Sequence, residues 1–169
     1  MKTLFSFLIA YLGLTLSVQA QNQVKVQQTD EGWTILVEGK PTMINGMNWD
    51  YFPRGTNYSY SLWNQSPEFI KKALDYEMGL LKNMGVNAIR VYTGIQPEWI
   101  TYIYQNYGIY TMLNHSFGRY GLTIDGSWML NTEYSDPRVR ALLLKETTEM
   151  VEQYQGTPGL LLYLLGNEN

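Results

Sequence analysis

An apolar run, Leu160 to Leu165, leads through Gly166 into Asn167-Glu168-Asn169. A carboxyl group just past a buried strand is suited to general acid catalysis, because apolar surroundings disfavour its ionised form and keep the proton on near neutral pH. Breaking a glycosidic bond needs such an acid to protonate the leaving oxygen, and a second carboxylate to attack or to activate water. Glu168 is the candidate acid/base, and the Asn167 amide can hydrogen-bond a sugar hydroxyl. Arg90, near the end of the β-rich run Val86 to Tyr92, carries a guanidinium that suits a carboxylate partner. Asp50 follows the strand candidate Met43 to Met47 and is expected to bind substrate or cap a turn. Trp49 and Tyr92 are rings at strand ends that either line a sugar site or pack the interior. His115 is the only histidine, so a multi-histidine metal site is excluded, and hydrogen bonding in its loop is the expected role. No metal and no cofactor are expected.

Composition agrees with a neutral partner. The formal net charge is -3 and there is no basic run, which argues against a nucleic-acid or anionic-membrane surface. Fourteen tyrosines and five tryptophans offer faces that stack on the C–H faces of sugar rings, although the same rings also serve to pack a core. With no cysteine, neither a disulfide framework nor a thiolate metal site is available. Met1-Lys2, the apolar stretch Leu4 to Leu16 and the small-residue end Val18-Gln19-Ala20 read as a signal peptide over residues 1–20. The expected location is therefore secreted or periplasmic, with no membrane span.

The elements that must position these groups follow from pattern. Residues 21–40 read as a β-hairpin turning at Asp30-Glu31-Gly32. Ser66-Pro67-Glu68 starts a helix whose apolar side is Ile70, Leu74, Met78 and Leu81, and Gly85 ends it. Pro97-Glu98-Trp99 opens a second helix that stops at Gly108, before a strand from Ile109 to Leu113. Asp136-Pro137 caps a third, with Val139, Leu143, Met150 and Tyr154 inward. Asp125-Gly126 reads as a turn, and Asn57, Asn64 and Asn114 each begin an N-x-S glycosylation pattern. Strand, helix, glycine, strand, repeated, signals parallel βα units. The segment from Asn48 to Gln65 has one glycine and many aromatic residues, so it is no phosphate cradle. The long polar-aromatic strand-to-helix loops favour a barrel over a doubly wound sheet. The expected fold is α/β, the first four strands of a (β/α)8 TIM barrel over residues 41–169, preceded by the hairpin.

Read in order, Gly39-Lys40-Pro41 leading into Met43 to Asn48, then Leu81 to Tyr92, Tyr107-Gly108-Ile109-Tyr110 and Gly166-Asn167-Glu168, this text resembles the clan A glycoside hydrolases. The likeness is greatest to the barrels of glycoside hydrolase family 2 and the family 72 glucanosyltransferases, and it covers nearly all of the chain after residue 20. It implies a retaining mechanism with Glu168 as acid/base, Asn167 on the 2-hydroxyl of the sugar being cleaved, and Arg90 orienting the nucleophile. The family's nucleophile is a glutamate after the seventh strand, whereas this chain ends after its fourth. The resemblance thus implies the N-terminal half of a catalytic barrel, inactive alone, from an enzyme acting on β-linked oligo- or polysaccharides. Transglycosylation and noncatalytic carbohydrate binding are the alternatives.

Overall fold

The computed structural model describes residues 23–92 and 94–167. The signal-peptide reading of residues 1–20 and the acid/base reading of Glu168 lie outside them. Strands β1 (Val24–Thr29) and β2 (Gly32–Val37) form an antiparallel hairpin, and β3 (Lys40–Pro41) returns along β2. Strands β4 (Gly46–Asn48), β5 (Ala88–Tyr92), β6 (Tyr110–His115) and, later in the chain, Leu160–Leu165 form a parallel sheet in that spatial order. Between β6 and the third helix lies a second hairpin, β7 (Leu122–Ile124) with β8 (Ser127–Met129). The strand Leu160–Leu165 is therefore β9.

Parallel neighbours need crossovers, and the helices supply them. Helix α1 (Pro67–Asn83) joins β4 to β5, α2 (Pro97–Tyr107) joins β5 to β6, and α3 (Pro137–Tyr154) leads into β9. Each has proline in its first turn, where the missing N–H removes no intrahelical bond. Ser66 Oγ accepts from Phe69 N at 3.3 Å and Asp136 Oδ1 accepts from Arg138 N at 2.8 Å, capping α1 and α3. At the far end of α2, Gly108 takes the left-handed conformation at φ 69° and its N–H donates to Tyr104 O at 2.8 Å.

The two faces of the parallel sheet are covered differently. Ile89, Val91, Leu113 and Leu160 share one buried cluster with Leu74 and Met78 of α1, Ile100 and Ile103 of α2, and Met150 and Tyr154 of α3. On the other side Ala88 and Leu161 pack with Val37, Ile35 and Val24, so the small antiparallel sheet covers the region where the parallel strands begin. Leu122 and Ile124 bury against Val139 and Leu143 in a separate cluster, which anchors the second hairpin to α3. Helices α1 and α2 are also joined through Asp75, whose carboxylate accepts from the hydroxyls of Tyr102 and, at 2.7 Å, Tyr107.

The expected half-barrel is not what the chain forms. It is a mixed α/β fold with an open four-stranded parallel sheet, edged by β4 and β9, plus two antiparallel units, and among the described residues only three helices separate the strands. The misreading has a physical cause. Helix caps and apolar periodicity specify each crossover locally, but curvature and closure of a sheet are set by long-range packing. One of the long strand-to-helix connections, between β6 and α3, holds a hairpin that pattern does not show, because its strands are three residues each and too short for alternation. Asp125-Gly126 does turn there, as expected, with φ of 51° and 77°.

Two outcomes follow. Gly159 precedes β9 with φ 89°, and a Cβ there would stand 2.3 Å from Tyr104 Cβ and 3.2 Å from Ile100 O, both on α2. Gly159→Ala should cost roughly 1–3 kcal/mol for overpacking, on top of the left-handed penalty of about 1–2 kcal/mol. Gly108→Ala, with nothing within 4 Å of its Cβ, should show the second cost alone in urea unfolding. The hydroxyls of Tyr102 and then Tyr107 hold Asp75 below the ordinary carboxylate range, while burial and the Asp75 bond push Tyr107 up to about 12. A depressed carboxylate stabilises above its unfolded pKa, and that contribution is lost as pH falls through the folded value. Tyr102→Phe should therefore raise the Asp75 titration midpoint, read by carboxyl-carbon NMR.

Candidate functional site

Polar side chains gather where the parallel strands end. The register sets Asn48 beside Arg90, Tyr92 beside Asn114, and Asn114 beside Leu164. Arg90 and Tyr92 are two residues apart and share a face of β5. The Arg90 guanidinium lies 5.3 Å from the centre of the Tyr92 ring, a cation–π contact. Its Nε donates to Asn114 Oδ1 at 2.6 Å, its Nη2 reaches the same oxygen, and Nη2 also donates to Asn167 Oδ1 at 2.7 Å.

Asn114 is only 1% exposed and both ends of its amide are used. Its Nδ2 donates to His115 O at 2.8 Å and to Gly166 O at 3.2 Å, which leaves Oδ1 facing the guanidinium. Gly166 N donates to His115 O at 2.9 Å, so pairing between β6 and β9 persists one residue past β9. Gly166 then turns at φ 107°, a conformation that favours glycine, and presents Asn167. Asn167 Nδ2 donates to Tyr120 Oη at 2.6 Å. Residues from β5, β6, the exit of β9 and the loop before β7 thus form one bonded chain.

Arg90, Asn167 and Tyr120 of this bonded chain line a cleft of about 980 Å³, while Asn114 lies buried behind them. The segment after β4 lines the same cleft with Asp50, Phe52, Tyr58, Tyr60 and Trp63. Phe52 and Tyr58 meet edge to face at 5.6 Å, and Tyr51 meets Tyr60 at 6.3 Å, so the aromatic wall is internally packed. Burial, and then the neighbouring Tyr51, push the Tyr60 hydroxyl above the ordinary tyrosine range. Among the described residues that buried hydroxyl has no hydrogen-bond partner. Among the described residues the acceptors around Arg90 are neutral amide oxygens, which orient the guanidinium without cancelling its charge. A carboxylate or other electron-rich group brought to it would gain a charge-assisted hydrogen bond.

Four of the sequence candidates come together here: Arg90, Asn167, Asp50 and Tyr92. Asp50 is exposed, and its Oδ1 accepts from Tyr51 N at 2.8 Å. Trp49 is 6% exposed and lies under the cleft wall, 6.2 Å from the Trp63 ring, in the core. His115 is outside the cleft: its Nδ1 accepts from Phe117 N at 3.1 Å and its Nε2 is 3.5 Å from Glu146 on α3. Glu168 is outside the described residues. Asn114 and Tyr120 joined the site without having been singled out for it. Asn114 stood out only as a glycosylation pattern, and its fully engaged amide leaves no place for a glycan in the folded chain. Its signal was a polar residue inside an apolar strand; Tyr120 gave none. Among the described residues no cluster of histidine, cysteine, aspartate and glutamate could hold a metal ion, and no helix is long and apolar enough to cross a membrane.

Asn114→Ala would strand the Gly166 carbonyl, leave His115 O with the Gly166 N–H alone, and remove an acceptor from Arg90, at roughly 1–3 kcal/mol for each buried group left unpaired. Urea unfolding should show a clear loss, whereas Asp50→Ala, at an exposed site, should change stability little. No family model matches the chain, so the reading of this cleft rests on its own residues.

Proposed function

We propose that the chain binds a β-linked oligo- or polysaccharide in this cleft and serves retaining glycosidic cleavage, with Glu168 as general acid/base. The observation that carries the reading is the Arg90–Asn114–Asn167 network at the strand ends, facing an aromatic wall. Packed rings beside the polar side chains of Asn48, Asp50 and Asn167 suit a sugar, whose C–H faces stack while its hydroxyls seek partners. Asn167 precedes Glu168 directly and is anchored by Arg90 and Tyr120, so the network fixes the chain next to the proposed acid. In this mechanism Glu168 protonates the leaving oxygen, a second carboxylate forms the glycosyl-enzyme bond, and Glu168 then deprotonates the incoming water or sugar hydroxyl. Arg90 is the group that would hold that second carboxylate ionised and aimed. Residues 1–20, read as a signal peptide, fit a secreted or periplasmic role.

A second reading, carbohydrate binding without catalysis, has one observation in its favour. Asp50 is the only carboxylate among the described residues lining the cleft, and its Oδ1 is engaged by Tyr51 N. A retaining site needs its two carboxyl groups roughly 5–5.5 Å apart.

One experiment separates the two. In a protein that carries this chain together with the second carboxylate, Glu168→Gln should slow alkyl β-glycosides by about 10²–10⁴-fold and leave activated aryl β-glycosides much less affected, because departure of a good leaving group needs little protonation. Equal loss on both substrates removes Glu168 from the acid role. If that protein binds β-linked oligosaccharides but turns over neither substrate, the noncatalytic reading holds, and product analysis with an added acceptor sugar identifies transglycosylation.

A further inference from the structure

The segment between β6 and α3 builds a second cavity of about 580 Å³, whose walls include Tyr120, Leu130, Asn131, Thr132 and Tyr134. Tyr120 lines this cavity and the main cleft alike. We propose that the two are one groove, which holds an oligosaccharide longer than a disaccharide, and that the β7–β8 segment sets the preference for chain length; this rests on the sugar-binding reading above.

The Tyr120 ring is a fixed divider. Its hydroxyl is held by Asn167 Nδ2 at 2.6 Å, and the Arg119 guanidinium lies 5.7 Å from the ring centre, yet the residue remains 58% exposed. A ring held this way gives a ligand an apolar platform at little entropic cost. The second cavity repeats the chemistry of the first. Tyr134 is stacked on Phe117 at 6.2 Å and 15°, and its hydroxyl donates to Phe117 O at 2.9 Å. Leu130 stands 71% exposed beside the exposed amide of Asn131, an apolar surface next to a donor and an acceptor. Arg119 is the one charged residue among the described lining residues, and the others offer apolar surface, hydroxyls and an amide.

The segment is also built to keep its shape. Thr132 Oγ1 donates to Gly118 O, tying the exit of β8 to the loop after β6. Gly121 sits at φ 93° where a Cβ would meet Met129 O at 2.5 Å and the Trp128 ring at 2.6 Å, so only glycine lets loop and hairpin approach this closely. Each cavity falls within the roughly 300–1,000 Å³ of a site for one drug-sized molecule. Two cavities that share the Tyr120 ring suit an extended ligand.

The test is calorimetric binding to the full chain of β-linked glucose, mannose and galactose oligomers, from disaccharide to hexasaccharide. It compares wild type with Leu130→Ala/Asn131→Ala, both exposed positions outside the main cleft. For the sugar that binds, wild-type affinity should rise about tenfold or more beyond the disaccharide. The double variant should lose that rise and keep wild-type affinity for the disaccharide. Affinity that does not grow with length, or growth that survives the double substitution, overturns the groove while leaving the main-cleft reading intact. Binding of no oligomer at all overturns both.

Discussion

A guanidinium drawn into a protein must keep its donors bonded, and the strand ends are arranged around that requirement at Arg90. Asn114 Oδ1 and Asn167 Oδ1 take its N–H groups, and the Tyr92 ring lies along its face. Each acceptor is in turn held by its other end. Asn114 is fixed by the carbonyls of His115 and Gly166, and Asn167 by the Tyr120 hydroxyl. An amide serves better than a carboxylate at position 114, because a carboxylate there could not donate to two carbonyls and would cancel the charge that faces the cleft.

That network depends on register. Asn114 reaches both Arg90 and Gly166 because β6 lies between β5 and β9 and pairs in parallel with each. The small glycine turns at the opposite end of the sheet hold those neighbours in place. Asn87 stands in for backbone ladder bonds there, its Oδ1 accepting from Asn45 N at 2.8 Å and its Nδ2 donating to Met43 O at 2.7 Å. The strand expected from Met43 to Met47 is accordingly displaced to Gly46–Asn48, since side-chain bonds replace the first ladder rungs.

The residues that announced themselves in the sequence are those whose role is local. Ser66 with Pro67, Asp136 with Pro137, and Gly108 mark helix ends through contacts made within four residues, and all three stand where pattern placed them. Arg90, Tyr92 and Asn167 were legible as polar or aromatic residues at strand ends. Asn114 was harder to assign, because its meaning depends on two other strands, and Trp49 was ambiguous because the same ring serves a cleft or a core. Tyr120 was invisible: nothing within its loop indicates that an amide from a segment 47 residues away will bond to it. Sheet closure belongs to the same class, a property of packing rather than of any segment.

The division between the two ends of the sheet explains why the chemistry gathers at one of them. Where the parallel strands begin, Val37, Ile35 and Val24 of the antiparallel sheet cover Ala88 and Leu161, and the connections are tight glycine turns. Where they end, apolar cover gives way to Arg90, Asn114 and Asn167, whose bonds replace it, and the connections to the helices grow long enough to raise walls. Those walls are aromatic because they must pack against one another without a regular ladder: Trp63 over Trp49, Phe52 on Tyr58, Phe117 on Tyr134. A ring can hold such a loop with one face and leave part of its surface to solvent. The packing that stabilises the loops therefore also lines the cleft with partly exposed rings.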